Sequence, residues 1–113
     1  MRRVIQEDTT GCGLACIAML SGRSYKEVRN LALKELGFED NGEFYTGTSH
    51  LVSLGQEFDL KIGKRRRKFK SFDLLPNKVI LAINYKEKSD TWHWVVFHRT
   101  NKEQYILDDL PPL

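Results

Sequence analysis

The hydrophobic pattern of the chain changes its period once, close to Asp59. Before that point the apolar residues follow helical spacing, and Ser24 and Glu27 stand three apart as a capping box. Gly37 is a typical stop for the helix that this box begins. The predicted helices cover residues 12–20, 25–36 and 48–58.

After Asp59 the chain contains short apolar runs, rich in β-branched and aromatic residues, that are separated by polar turns. This pattern is typical of sequential antiparallel strands. We predict strands over residues 79–85, 91–98 and 105–109, the first of them as a buried central strand. Helices followed by such a sheet predict an α+β fold, with the N-terminal helices packed on the C-terminal sheet.

The length of 113 residues allows one domain, residues 1–113. No window approaches the roughly 18 consecutive apolar residues that a membrane helix needs. The two N-terminal arginines are not followed by an apolar run, so we expect no secretory signal. Cys12 and Cys16 lie on one predicted helix face, which is poor for a disulfide, and two ligands are too few for structural zinc. We therefore expect a cytoplasmic, reduced protein with no metal and no cofactor, although secretion by another route stays open.

The best candidate for chemistry is Cys12. It stands at the predicted start of the first helix, where the helix dipole favours a thiolate, so we expect a lowered pKa. Gly11 and Gly13 flank it and would leave room for a substrate backbone to approach. Cys16 lies one turn deeper and is interpreted as a core residue. The alternative is that both cysteines only pack in the core.

Three further residues complete a catalytic set around this cysteine. Gln6 precedes Cys12 by six residues, so its amide could join the Cys12 N–H in an oxyanion hole. His93 lies in the second predicted strand as a candidate base, and strand pairing could bring Asp108 beside it as the orienting group. The alternatives are a solvated Gln6 and a half-exposed sheet histidine. His50 and His98 are expected to be solvated.

At this point the segment QEDTTGCGLACIAMLSG resembles the active-site segment of the bacteriocin-processing cysteine peptidases, which cut after a double-glycine leader. The string LLPNKVILAI is similar to the strand before the histidine in that family, HWVVF to the strand that carries the histidine, and YILDD to the strand that ends in the aspartate. The resemblance implies a papain-like fold and a bacterial cysteine peptidase. Members of that family are usually fused to a membrane-spanning transporter, but nothing in this sequence indicates a transporter role. It implies Cys12 as nucleophile, His93 as general base, and Gln6 as oxyanion donor. Asp108 would orient His93, with Asp109 as its rival.

A triad of this kind predicts hydrolysis of a peptide or isopeptide bond through a thioester acyl-enzyme. The same residues also serve deamidases and transglutaminase-like transferases, and relatives without catalysis hold peptides. Trp92 and Trp94 could line the substrate site, although sheet tryptophans commonly just pack. The loop over residues 38–47 is a further candidate to line the cleft.

The net charge of +3 is unevenly distributed. The decapeptide from Lys61 to Lys70, here called the basic segment, holds seven basic residues and no acid, which leaves eleven basic against fifteen acidic residues elsewhere. We expect either an acidic partner at this segment or a solvated edge strand whose charges discourage pairing. We do not expect nucleic acid as a partner, because proteins that bind it usually carry positive charge more broadly.

Overall fold

A computed structural model describes residues 1–40 and 43–111. It contains three α-helices, α1 (Cys12–Ser21), α2 (Tyr25–Glu35) and α3 (Thr48–Glu57), which confirms the three predicted helices. Helix α1 ends at Gly22, whose φ of 72° is the left-handed conformation that glycine adopts at little cost. The N–H of Glu27 donates to the Ser24 hydroxyl at 3.1 Å, and the Ser24 N–H donates to the Glu27 carboxylate at 3.4 Å, so the capping box is formed.

The sheet has three antiparallel strands, β1 (Lys78–Lys86), β2 (Thr91–Arg99) and β3 (Gln104–Leu107), in the order β1-β2-β3. The fold is therefore α+β, as predicted. The prediction of β1 as the buried central strand was wrong, because β2 is central and its residues 94–97 are all buried. The apolar runs of β1 and β2 are similar in sequence. Which of the two strands is central and covered by helix α1 depends on the strand order, which the local sequence does not show.

The core lies between α1 and the inner face of β2. Every residue of α1 from Gly13 to Met19 is buried, and side chains from α2 and α3 close the other sides of that helix. A helix that is apolar all round needs such complete enclosure. Cys12 at the N-terminus of α1 is thereby set against the middle of β2.

The two ends of the chain are joined beside this core. The Gln6 N–H donates to the Asp109 carbonyl at 2.8 Å. The Arg3 guanidinium donates to the carbonyls of Asp108 at 2.6 Å and Leu110 at 2.8 Å. These bonds hold the residues after β3 against the segment that leads into α1. In the part of the chain described, no helix has the length and hydropathy to cross a bilayer.

Replacing Leu14 by Ala tests this core. Leu14 is fully buried in α1, so the cavity should lower the free energy of unfolding by about 2–5 kcal/mol in urea titrations. Leu74→Ala is the matched control, since that side chain is 71% exposed and its loss should cost about 0.5 kcal/mol or less. Equal effects of the two substitutions would contradict the placement of the core.

Candidate active site

Cys12 is the first residue of α1 and is half-buried against β2. Its Sγ accepts a hydrogen bond from the backbone N–H of Trp94 at 3.5 Å. Trp94 directly follows His93, so packing of α1 on β2 brings the thiol to the strand that carries the histidine. Residues that are 82 apart in sequence are joined by this one contact.

The pKa of Cys12 differs in direction from the sequence-based expectation. Burial raises the pKa of its thiol above the ordinary value, and the nearby Asp109 carboxylate raises it further. The Trp94 N–H and the N–H groups of the helix start oppose this rise without overcoming it. This environment therefore favours the thiol form of Cys12 over the thiolate.

His93 contacts two adjacent carboxylates through one ring nitrogen. Its Nε2 lies 2.9 Å from Asp108 Oδ1, and because an ionised carboxylate only accepts, this nitrogen carries the proton. Burial acts to raise the pKa of Asp108, but the His93 hydrogen bond and the Leu110 N–H lower it below the ordinary value. Asp109 Oδ1 is 3.0 Å from the same nitrogen without completing a hydrogen bond. Asp108 is thus the hydrogen-bond acceptor, and Nδ1 is left for another partner.

Asp109 is fully buried, unlike Asp108. Burial raises its pKa to about 7, against the opposing influence of His93. Its Oδ2 accepts a hydrogen bond from Cys16 Sγ at 3.5 Å. Cys16 is also fully buried, and burial raises its pKa well above the ordinary value, so it stays a neutral donor inside the core. The ligand atoms of His93, Asp108 and Asp109 lie within 4.8 Å of one another, a spacing that a divalent cation could also use.

Gln6 is buried, and its side-chain NH2 group already donates hydrogen bonds within the protein. Its Nε2 donates to the carbonyls of Asp8 at 2.8 Å and Thr9 at 2.9 Å, while its Oε1 has no partner among the described residues. The amide thus shapes the turn that precedes Cys12. Donation to an oxyanion would require it to exchange one of these carbonyls for the substrate oxygen.

The expectation that Gly11 and Gly13 leave room for substrate was wrong. A Cβ on Gly11 would lie 2.0 Å from the Tyr25 hydroxyl, and one on Gly13 would lie 1.9 Å from Thr46 Oγ1. Both glycines are buried, and the space they leave is filled by the protein's own side chains. They allow tight packing around the helix start rather than access to it.

A cavity of about 140 Å³ opens beside Cys12. Trp92 and Trp94 line it, and they meet edge to face with ring centroids 5.5 Å apart. Trp94 is buried and its indole N–H donates to the Thr46 carbonyl at 2.9 Å, whereas Trp92 is half-buried. The loop expected to line the cleft contributes Tyr45 and its two following residues. Asn41 and Gly42 of that loop lie outside the described residues.

The two other histidines are not simply solvated. His50 Nδ1 accepts the Gly47 N–H at 3.0 Å and so caps the start of α3. His98 Nδ1 lies 2.7 Å from the Tyr105 hydroxyl across the β2–β3 pair. Neither residue lines the cavity at Cys12. Sequence patterns could have indicated the cap, since His50 stands at the third position of α3.

Sequence reasoning missed one contact near the cavity altogether. The Arg66 guanidinium lies over the Trp92 ring, with its central carbon 4.8 Å from the ring centroid. The basic segment contains no strand, so its interpretation as an edge strand was wrong. Nothing in the local pattern of residues 61–70 indicates which surface of the fold they cross.

A thiol at a helix N-terminus, packed against a strand whose histidine is oriented by a carboxylate, defines the class of papain-like cysteine hydrolases. The chain belongs to the peptidase C39 family, whose family model matches residues 1–111. It is therefore a cysteine peptidase of the bacteriocin-processing type, with a papain-like α+β fold. Searches of curated proteins and of solved structures gave no significant match.

The raised pKa of Asp109 predicts a pH dependence of stability. In the unfolded chain this carboxyl ionises near its ordinary value of 3.8, and in the fold only near 7. Between those values the native state binds more protons, so Asp109 causes stability to fall as pH rises, by at most about 1.4 kcal/mol per pH unit. Asp109→Asn should remove this slope in unfolding measurements from about pH 4 to pH 7.

Asp108→Asn serves as the control for that measurement. The folded pKa of Asp108 is lowered, so its contribution is lost only as pH falls below its ordinary value. The falling slope above about pH 4 should therefore persist in Asp108→Asn, over a narrower pH range, because the charge of Asp108 is one of the causes that raise the pKa of Asp109. A slope that Asp109→Asn leaves unchanged would contradict the protonation of this buried carboxyl.

Proposed function

We propose that the protein hydrolyses peptide bonds through a Cys12–His93–Asp108 triad and a thioester acyl-enzyme. The main support for this proposal is that two adjacent residues of β2 contact the other two members of the triad. Trp94 donates its N–H to Cys12 Sγ, and His93 donates through Nε2 to Asp108. Because Nε2 holds the proton, the free Nδ1 is the basic nitrogen of the imidazole.

In the first half-reaction, His93 takes the proton of the Cys12 thiol as Sγ attacks the substrate carbonyl carbon. Because burial raises the pKa of this thiol, His93 supplies the base that the attack requires. A C–S bond forms, and the carbonyl oxygen becomes an oxyanion. The C–N bond then breaks, and the imidazolium gives its proton to the leaving amine, which leaves a thioester on Cys12.

In the second half-reaction, water replaces the amine. His93 takes a proton from the water as its oxygen attacks the thioester carbon. The C–S bond breaks, the acyl group leaves as a carboxylic acid, and the proton returns to the Cys12 sulfur. Asp108 stabilises the imidazolium in both halves by accepting from Nε2.

The oxyanion would be held by the Cys12 N–H, which as the first helical amide has no partner within α1. Gln6 is the second donor in this proposal, and it would move one amide hydrogen from the Asp8 or Thr9 carbonyl to the substrate oxygen. Such donors are each worth roughly 10²–10³ in rate. Membership of the peptidase C39 family supports hydrolysis and gives no support to deamidation, amine transfer or peptide binding without catalysis.

Matched serine substitutions test the nucleophile. Cys12→Ser should lower turnover of an internally quenched peptide library by roughly 10³-fold or more, because a hydroxyl is a far poorer nucleophile in this setting. Cys16→Ser makes the same chemical change one helical turn away and keeps a donor for Asp109, so it should retain most turnover. Comparable losses from both substitutions would contradict the assignment of Cys12.

A second pair of substitutions tests which carboxylate orients His93. Asp108→Asn removes the acceptor of the Nε2–H and should lower kcat by roughly 10²-fold or more. Asp109→Asn removes a carboxyl that completes no hydrogen bond with His93, so its effect on kcat at pH 8 should be smaller. The measurement is kcat on the same library, and the reverse order would assign the orienting role to Asp109.

A further inference from the structure

The basic segment presents seven cations, none of which has a carboxylate partner among the described residues. Every one of them is exposed, and within residues 1–40 and 43–111 none forms an ion pair with a carboxylate. Like charges so close together repel one another, and no salt bridge among the described residues offsets this repulsion. Such a segment is suited to a ligand that brings its own negative charge.

The segment is anchored to the fold at both ends. At one end Ile62 packs on Gly55 of α3, where its Cδ1 lies 2.8 Å from the place that a glycine Cβ would take. At the other end Phe69 meets Phe72 edge to face at 5.1 Å, and Phe72 stacks on Phe97 of β2 at 5.7 Å. The cations between these anchors are therefore held across one face of the domain, and do not extend away from it as a tail.

The middle of the segment lies at the active-site cavity. Arg66 stands over the ring of Trp92, and Trp92 lines the cavity together with Cys12. A peptide that lies across Cys12 and Trp92 thus passes directly beside Arg66 and its neighbours Arg65 and Arg67. One carboxylate also lines this cavity, that of Asp90, which accepts the Tyr85 hydroxyl at 2.8 Å.

We infer that the basic segment binds an acidic stretch of the peptide substrate beside the scissile bond. This inference rests on the proposed peptidase function and adds a substrate class to it: peptides with several Asp or Glu residues next to the cleaved site. Guanidinium and ammonium groups bind those carboxylates through charge-assisted hydrogen bonds. In this arrangement Arg65, Arg66 and Arg67 bind the acidic stretch, whereas the Asp90 carboxylate disfavours an acidic residue directly beside it.

The charge of the rest of the chain favours a peptide over a longer polyanion. Outside the basic segment the protein carries eleven basic and fifteen acidic residues. A nucleic acid or an anionic membrane would extend beyond the segment and meet this negative surface. A short acidic peptide would contact the basic segment alone.

The test uses two triple variants with the same change in charge. The first replaces Arg65, Arg66 and Arg67 by Gln, and the control replaces Lys26, Lys34 and Lys102 by Gln, three exposed lysines outside the segment. Turnover is measured on two internally quenched peptide libraries that share the same random core. The first library carries a flank of four Glu residues, and the second carries a flank of four Gln residues. Since surface ion pairs are individually weak, we expect the arginine variant to raise KM for the Glu library roughly tenfold with kcat unchanged. The lysine control and the Gln library should show little change, and the preference for Glu should decline in 0.5 M NaCl, well above physiological ionic strength, where the Debye length is only about 4 Å.

A binding measurement separates failure of this inference from failure of the peptidase proposal. Fluorescein-labelled oligoglutamate of ten residues should bind the Cys12→Ser protein, and should lose roughly tenfold in affinity with the three arginines replaced. If neither library is cleaved, the peptidase proposal fails while this binding still decides the role of the segment. The inference would be overturned if the arginine substitutions left oligoglutamate binding unchanged. It would also be overturned if a DNA oligonucleotide or phosphatidylserine vesicles bound in an arginine-dependent way while the enzyme showed no preference for the Glu flank.

Discussion

The packing of helix α1 on strand β2 is the contact on which both the fold and the site depend. It encloses an apolar helix, whose residues 13–19 are all buried, and it sets the first residue of that helix against the strand that carries His93. The same burial that stabilises the core also raises the pKa of Cys12. Stability and reactivity are therefore coupled here, because the thiol lies at the edge of the core and is not freely exposed.

The two aspartates that follow β3 have identical side chains but different burial and different hydrogen-bond partners. Asp108 remains partly exposed and accepts from His93, while Asp109, one residue later, turns into the core and meets Cys16. Hydrogen bonds from the N-terminal segment to the Asp108 and Asp109 carbonyls fix this geometry. The N-terminal residues thus contribute to the site twice, by holding these carboxylates and by leading into Cys12.

Much of the fold could be predicted from sequence, because helix spacing, the Ser24–Glu27 box and the apolar strand runs are local signals. The central position of β2 could not, since strand order depends on contacts between distant segments. The packing role of Gly11 and Gly13 and the contact of Arg66 with Trp92 also depend on residues far away in the chain. The expected fall in the Cys12 pKa failed for a similar reason. The helix start is visible in sequence, but burial and the charge of Asp109 are not.

In the proposed mechanism, Cys12 carries the acyl group during peptide hydrolysis. The most direct test is mass spectrometry of the protein quenched in acid during turnover of a peptide library. We expect a peptide acyl adduct on Cys12, bound as a thioester that hydroxylamine releases, and no adduct on Cys16. An adduct on Cys16, or turnover of the library with no acyl adduct on Cys12 at any quench time, would contradict it.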